Sequence, residues 1–308
     1  MGRYFLRRLL QAIPVLFGTT FLIYVLVWQL PGDPFVGRCG DRVCPEAFVN
    51  AMNEQFRLDE PLLIQYGHYI ANLLQGDLGL TYNMTPVSDL VVQAAPITLR
   101  LALVALAFEV VIGVIAGVIA GLRRNSFFDN LVFVSTLLAL SIPTFVLGRF
   151  LQWLLGVRWG IITPSVSGDA TWGELIVPGI VIATTTTAIL ARLARTTIAE
   201  NLRADYVRTA IAKGMPPRRV IGVHLLRNSL IPIVTLIGLD LGTLMVGAVV
   251  TEGIFNINGL GGLVYDHVLR LDSTVVVPVA TLFVLIYIFA NLIVDLIYGV
   301  LDPRIRYE

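Results

Sequence analysis

The chain has 308 residues, of which 56% are hydrophobic and 14% charged, and a formal net charge of +1. Soluble domains carry roughly 25% charged residues, so this composition excludes an ordinary soluble fold. The net charge by itself identifies no partner, and no nucleic-acid partner is expected.

Several apolar runs reach the roughly 18–20 residues that cross a bilayer as a helix. The fold class is therefore an all-α polytopic membrane protein, one transmembrane domain over 1–308. Six spans are predicted, at about 9–30, 98–121, 131–155, 176–194, 232–252 and 276–300. With the N-terminus inside, the inner segments carry fifteen Arg and Lys and the outer ones six. The positive-inside rule then places both termini in the cytoplasm. The first apolar run follows Arg3, Arg7 and Arg8 and ends in Pro31-Gly32-Asp33-Pro34. It is too long for a signal h-region and lacks a small-x-small cleavage site, so it reads as a retained span.

Residues 31–96 form an expected extracytoplasmic subdomain. Cys39 and Cys44 lie there in C-G-D-R-V-C, and an oxidising compartment permits either a disulfide or two free thiols. A metal site is not expected from two thiols with no nearby His. Val43–Phe56 reads as a short helix. Pro61–Leu74 reads as a second, with one dry face bearing Leu62, Leu63, Tyr66, Tyr69, Ile70, Leu73 and Leu74.

The second span carries Gly113 and Gly117 as G-x-x-x-G. That spacing lets helices approach closely, within a bundle or against a sister subunit, but small residues are also common in membrane helices. In the third span, Pro143 within Ser141-Ile142-Pro143-Thr144-Phe145 must bend or interrupt the helix. Ser141, Pro143, Thr144 and Phe145 are therefore candidate gate residues. The fourth span holds Thr184–Thr187, four hydroxyls that cannot all hide on one face; pore lining and helix packing both remain open.

Ionisable residues within the spans are Glu109, Arg149, Asp240 and Asp295. Such groups face a bundle interior or a wet cavity, in functional or purely structural roles. Asp240, followed by Thr243, is the candidate for a polar pathway, or for a pair with Arg149. His68, His224 and His267 lie in separate segments, and no nucleophile–base set, metal motif or Walker loop appears. The chain is expected to be no enzyme, to hold no cofactor, and to draw its energy from a partner.

The polar segment from Arg192 to Asn228 carries eight of the chain's 22 basic residues. Asp205 is placed to cap a helix beginning at Tyr206. Gly214 ends it and Pro216-Pro217 prevents its return. Such a helix is too short to be stable alone and requires a groove in which to dock. The small, uncharged surface around Thr209 and Ala210 is the expected contact.

This segment resembles the coupling loop of bacterial ABC importer permeases, in the form found in the peptide/nickel branch. That form reads D-Y-V-R-T-A-x-A-K-G and then H-x-L-R-N-x-L-x-P; Asp205–Gly214 and His224–Pro232 match it. Leu30–Pro34, Gly76-Asp77-Leu78-Gly79, Val249–Glu252, Gly259-Leu260-Gly261 and Asp302–Arg306 are also similar to the first permease of dipeptide/oligopeptide systems. Asn258 departs from the usual Pro, and the two cysteines are not part of the pattern. The resemblance implies a type I permease fold and import of dipeptides or short oligopeptides by alternating access. It implies a second homologous permease, two ATPases that bind ATP and Mg, and an extracytoplasmic binding protein, all in a bacterial inner membrane amid its lipid. The loop at 195–231 would then be the coupling loop, with Asp205, Tyr206, Arg208, Thr209, Ala210, Lys213, Gly214 and Met215 at the ATPase contact. The alternative is an ion-coupled secondary transporter using Asp240 or Glu109, against which the lack of an inverted repeat counts.

Overall fold

The computed structural model describes residues 2–28, 45–57, 59–166 and 168–301. Cys39, Cys44, the start of the Val43–Phe56 helix, the Leu30–Pro34 and Asp302–Arg306 motifs, and the side chain of Asp295 lie outside the described residues.

The described residues form helices throughout, with one isolated bridge between Leu80 and Pro86. Helix α1 spans Gly2–Trp28. Two short helices follow, α2 (Glu46–Phe56) and α3 (Leu62–Leu74). α3 buries Gln65 rather than a full apolar stripe, while Leu63 and Leu74 are exposed. It is tied down by its tyrosines. Tyr66 meets Thr20 of α1 at 2.8 Å, and the Tyr69 hydroxyl donates to Thr281 at 2.7 Å.

The second span begins earlier than expected. α4 (Val87–Phe108), a π-helical turn (Glu109–Gly113) and α5 (Val114–Leu122) form one 36-residue rod. At 1.5 Å per residue it is about 54 Å long, well beyond a bilayer core of about 30 Å. Pro96 sits within the helix without ending it. Membrane helices tolerate such a proline where neighbouring groups satisfy the freed backbone. The expected boundary at 96 thus falls inside a helix.

The third span is not one helix. α6 (Phe127–Ser141) and α7 (Thr144–Leu151), with a π-helical continuation over Gln152–Arg158, meet at 97°. Pro143 has no N–H to donate and forces Ile142 into an extended conformation, φ −97° and ψ 120°. α8 (Ile176–Asn201) runs unbroken. Then come α9 (Asp205–Ala212), the single turn α10 (Pro217–Arg219), a π-helical stretch (Val220–Leu226) and α11 (Arg227–Phe255). α12 (Leu260–Leu269) folds back at 64° to the end of α11, and α13 (Ser273–Leu301) closes the bundle. Among the described residues five helices are long and apolar enough to cross a membrane, and the two bent pairs raise the number to at most seven.

α8 is the axis of the bundle, packing against α4, α5, α6, α7 and α11. The G-x-x-x-G face serves this contact. A Cβ on Gly113, Gly117 or Gly121 would meet Leu190, the Ala191 carbonyl with Ala194, or Ile198, all on α8. Small residues here let two helix backbones nearly touch, which is how helices associate where lipid removes most of the hydrophobic drive. Leu101, Ala105, Val181, Leu244, Ala248 and Phe255 continue the core between α4, α8 and α11.

Candidate functional site

α9 sits where the loop between α8 and α11 returns to the bundle. Its N-cap is Ala204, with no side-chain cap, so Asp205 does not cap the helix as expected. Asp205 is the first helical residue, where a carboxylate suits the positive end of the helix dipole. Its own backbone carbonyl accepts the Thr209 hydroxyl at 2.8 Å. The helix stops at Ala212, three residues short of Met215. Gly214 adopts φ +73°, and the Met215 N–H turns back to the Ala210 carbonyl at 3.3 Å.

Val207 and Ala210 are buried among Ile198, Val220 and Leu225, with Met215 packed alongside. At 100° per residue, positions 207 and 210 share one side of the helix. The expected outward contact at Ala210 is therefore corrected: this methyl group anchors α9 to its own chain. The outward face carries Tyr206, Arg208, Thr209, Ile211, Ala212 and Lys213, and Ile211 is 59% exposed. An exposed isoleucine on this short polar helix is the feature that sequence spacing alone missed. Tyr206 is held by its hydroxyl on Asn201 Oδ1 at 2.7 Å, and Asn201 in turn donates to Ser229 at 3.0 Å.

The base of α8 is fixed from another side. Arg195 makes a two-pronged contact with Asp129, through Nε to Oδ1 and through NH2 to Oδ2 at 2.9 Å. Asp129 also accepts the Asn125 N–H at 2.8 Å, so it joins the α5–α6 turn to α8.

A groove of about 330 Å³ opens between α7, α8 and α11. Thr144, Phe145, Thr185, Thr186, Thr243 and Thr251 line it. Of the expected gate residues, Thr144, Phe145 and Thr243 thus come together. Asp240 reaches them through the Thr243 hydroxyl, which donates to its carboxylate and to its backbone carbonyl. Ser141 donates to the Leu137 carbonyl, and Pro143 caps α7; neither lines the groove. Thr184 and Thr186 also bond to the preceding turn, at 2.7 and 3.1 Å. Arg149 contacts Gln152 at 2.9 Å and does not pair with Asp240.

The far end of the groove's α11 wall is locked by a buried clasp. Glu252 accepts the Thr98 hydroxyl at 2.7 Å and the Gly262 N–H at 2.8 Å, and Thr98 accepts the Leu260 N–H at 2.7 Å. Three elements, α4, α11 and the start of α12, meet at these two side chains. A Cβ at Gly259 or Gly262 would collide with the Glu252 carboxyl or the Ile257 carbonyl. Among the described residues no group of His, Cys, Asp and Glu is arranged to hold a metal.

Residues 113–307 match the family model described as the binding-protein-dependent transport system inner membrane component. Residues 1–102 match the N-terminal model of the same systems. The chain belongs to this family of inner-membrane permeases. It is 38% identical, over the whole of both chains, to the dipeptide transport system permease protein DppB of Escherichia coli (strain K12). It is also 38% identical over both full lengths to the glutathione transport system permease protein GsiC of Shigella flexneri serotype 5b (strain 8401), and to GsiC of Escherichia coli (strain K12). These likenesses favour the ABC permease over the ion-coupled transporter. They also give the α9 segment and the threonine groove a common setting in one transport permease.

Proposed function

We propose that this permease imports dipeptides or short oligopeptides, with α9 as the element that receives the force of ATP hydrolysis. The supporting observation is the two-sided build of α9. Val207 and Ala210 fix it to Ile198 of α8 and to Val220 and Leu225 of the π-helical stretch that leads into α11, while Tyr206, Thr209, Ile211 and Lys213 are exposed. A helix anchored on one side and bare on the other suits a cleft in a partner. In this reading α9 and both termini are cytoplasmic. Two partner ATPases hold ATP and Mg and grip α9, a second homologous permease completes the path, and a binding protein delivers cargo on the opposite side.

Closure of the ATPases would push α9 against the ends of α8 and α11. Those two helices carry Thr185, Thr186, Thr243 and Thr251, so their displacement reshapes the groove directly. Threonine hydroxyls offer donors and acceptors without a fixed charge, which suits a path for varied peptide backbones. Substrate choice then rests mainly with the binding protein. The relatives transport a dipeptide or glutathione by name, and a short peptide is their shared chemistry.

The test is uptake into proteoliposomes holding the complete transporter. Ile211→Glu should leave the chain inserted while reducing ATPase association and peptide uptake at least tenfold, a loss of about 1.4 kcal/mol or more in coupling. Undiminished uptake and association would overturn the role of α9.

A further inference from the structure

A cavity of about 260 Å³ opens where α1, α3 and α13 meet. α11 runs from the α9 segment to α12, and α13 begins just beyond α12, so this cavity lies at the end of the bundle remote from α9. α1 contributes Tyr24 and Trp28, one turn apart. α3 contributes Gln65, His68, Tyr69 and Asn72, which share one face at helical spacing. The first turns of α13 and the Asp77–Leu80 turn close the remaining sides, and Arg57 stands beside His68. The threonine groove between α7, α8 and α11 shares no lining residue with it.

The wall carries a cation and an anion, set apart. Arg57 donates through NH1 to His68 Nε2 at 2.7 Å, which leaves most of its N–H donors unused. Glu60 lies 3.9 Å from Arg57 NH1 and 3.6 Å from His68 Nε2, too far for a hydrogen bond. Exposed pairs of that length hold weakly, and a phosphate that takes two guanidinium N–H groups at once displaces them. Asp77 accepts the Gly79 N–H at 2.8 Å and pairs with no cation among the described residues. Its own N–H donates to the Asn72 carbonyl at 2.9 Å, which sets it beside Asn72. His68 and Asn72 are one turn of α3 apart, about 6 Å. An amine joined to a phosphate through two carbons spans such a distance.

Aromatic faces stand between the two ends. Tyr24 packs against Trp28 and Tyr69, with ring centroids 6.2 and 5.4 Å away. An amine held over such faces gains a cation–π attraction. The position of the cavity points to the source of the ligand. Trp28 is the last residue of the apolar span Arg7–Trp28, and Ser273, also in the wall, is the first of Ser273–Val294. Two spans therefore leave the bilayer at this cavity, at the level where Trp and Tyr gather among lipid headgroups.

We propose that the cavity holds the headgroup of a zwitterionic, amine-bearing phospholipid, with its phosphate on Arg57 and its amine at Asp77 between the aromatic rings. Bound there, the lipid joins α1 and α3 to the start of α13. It is a structural ligand outside the threonine groove, and the site stands whether or not the cargo is a peptide or α9 meets an ATPase.

Native mass spectrometry of the solubilised full chain tests it, with phosphatidylethanolamine and phosphatidylglycerol of equal acyl chains as probes. The wild type should retain phosphatidylethanolamine about tenfold over phosphatidylglycerol, which has no amine for Asp77; that ratio is the worth of one charge-assisted hydrogen bond. Asp77→Asn and Arg57→Gln should each reduce the retained phosphatidylethanolamine by about the same factor. The asparagine still accepts the Gly79 N–H, so Asp77→Asn should keep the wild-type melting temperature in lipid-free detergent. Equal retention of the two lipids by the wild type, or undiminished retention in both variants, overturns the proposal. A free zwitterion is the other source of this chemistry. If the wild type binds dialanine, both variants lose it and no phosphatidylethanolamine is retained, the lipid assignment falls.

Discussion

Asp129 and Glu252 show how single carboxylates fix helices in this molecule. Asp129 has a side chain only 3% exposed and takes both prongs of Arg195. Asp129→Asn should cost about 1–3 kcal/mol, read as a lower melting temperature of the solubilised chain at neutral pH. At the other end, Thr98→Val leaves the Leu260 N–H and one Glu252 oxygen without their partner. That loss should also cost about 1–3 kcal/mol, and Thr98→Ser should restore most of it in the same melts. Neither contact was legible in the sequence. Thr98 and Glu252 stand 154 positions apart, and hydropathy marks one only as the start of the second span and the other only as the end of the fifth.

At the scale of elements, the sequence was most readable where one residue decides the backbone. Pro143 announced the 97° break between α6 and α7, and Gly214 the end of α9. It was least readable where a neighbour overrides a local signal. Residues 31–96 read as an extracytoplasmic subdomain with the second span starting near 98, yet α4 begins at Val87 and continues through Pro96. Ala210 looked like contact surface because it is small; it is small because it packs against its own chain. The glycine face of the α4–α5 rod makes a sharp prediction. Gly117→Leu drives a side chain into the Ala191 carbonyl and Ala194, whereas Gly18→Leu on α1 meets nothing within 4 Å. The first should cost at least the 1–3 kcal/mol typical of overpacking; the second should leave the melting temperature of the solubilised chain unchanged. Equal melting temperatures would remove the close packing of α5 on α8 from the account.

At the scale of the molecule, apolar run length found the membrane segments because the bilayer imposes that length. It did not distinguish a straight span from a bent one, nor reveal that α8 is the axis around which the others pack. The family relationship, across the whole of both chains with DppB, joins these features into one proposed device. α9 receives motion at one end, α8 and α11 transmit it, and the Glu252 clasp holds the far end. The most direct measurement is cross-linking from α9 to the partner ATPase, in a chain carrying Cys39→Ser and Cys44→Ser. Ile211→Cys should give an ATPase cross-link in the assembled transporter, and Ala210→Cys, buried against Ile198 and Leu225, should give none. No cross-link from position 211, or an equal one from 210, would contradict the account.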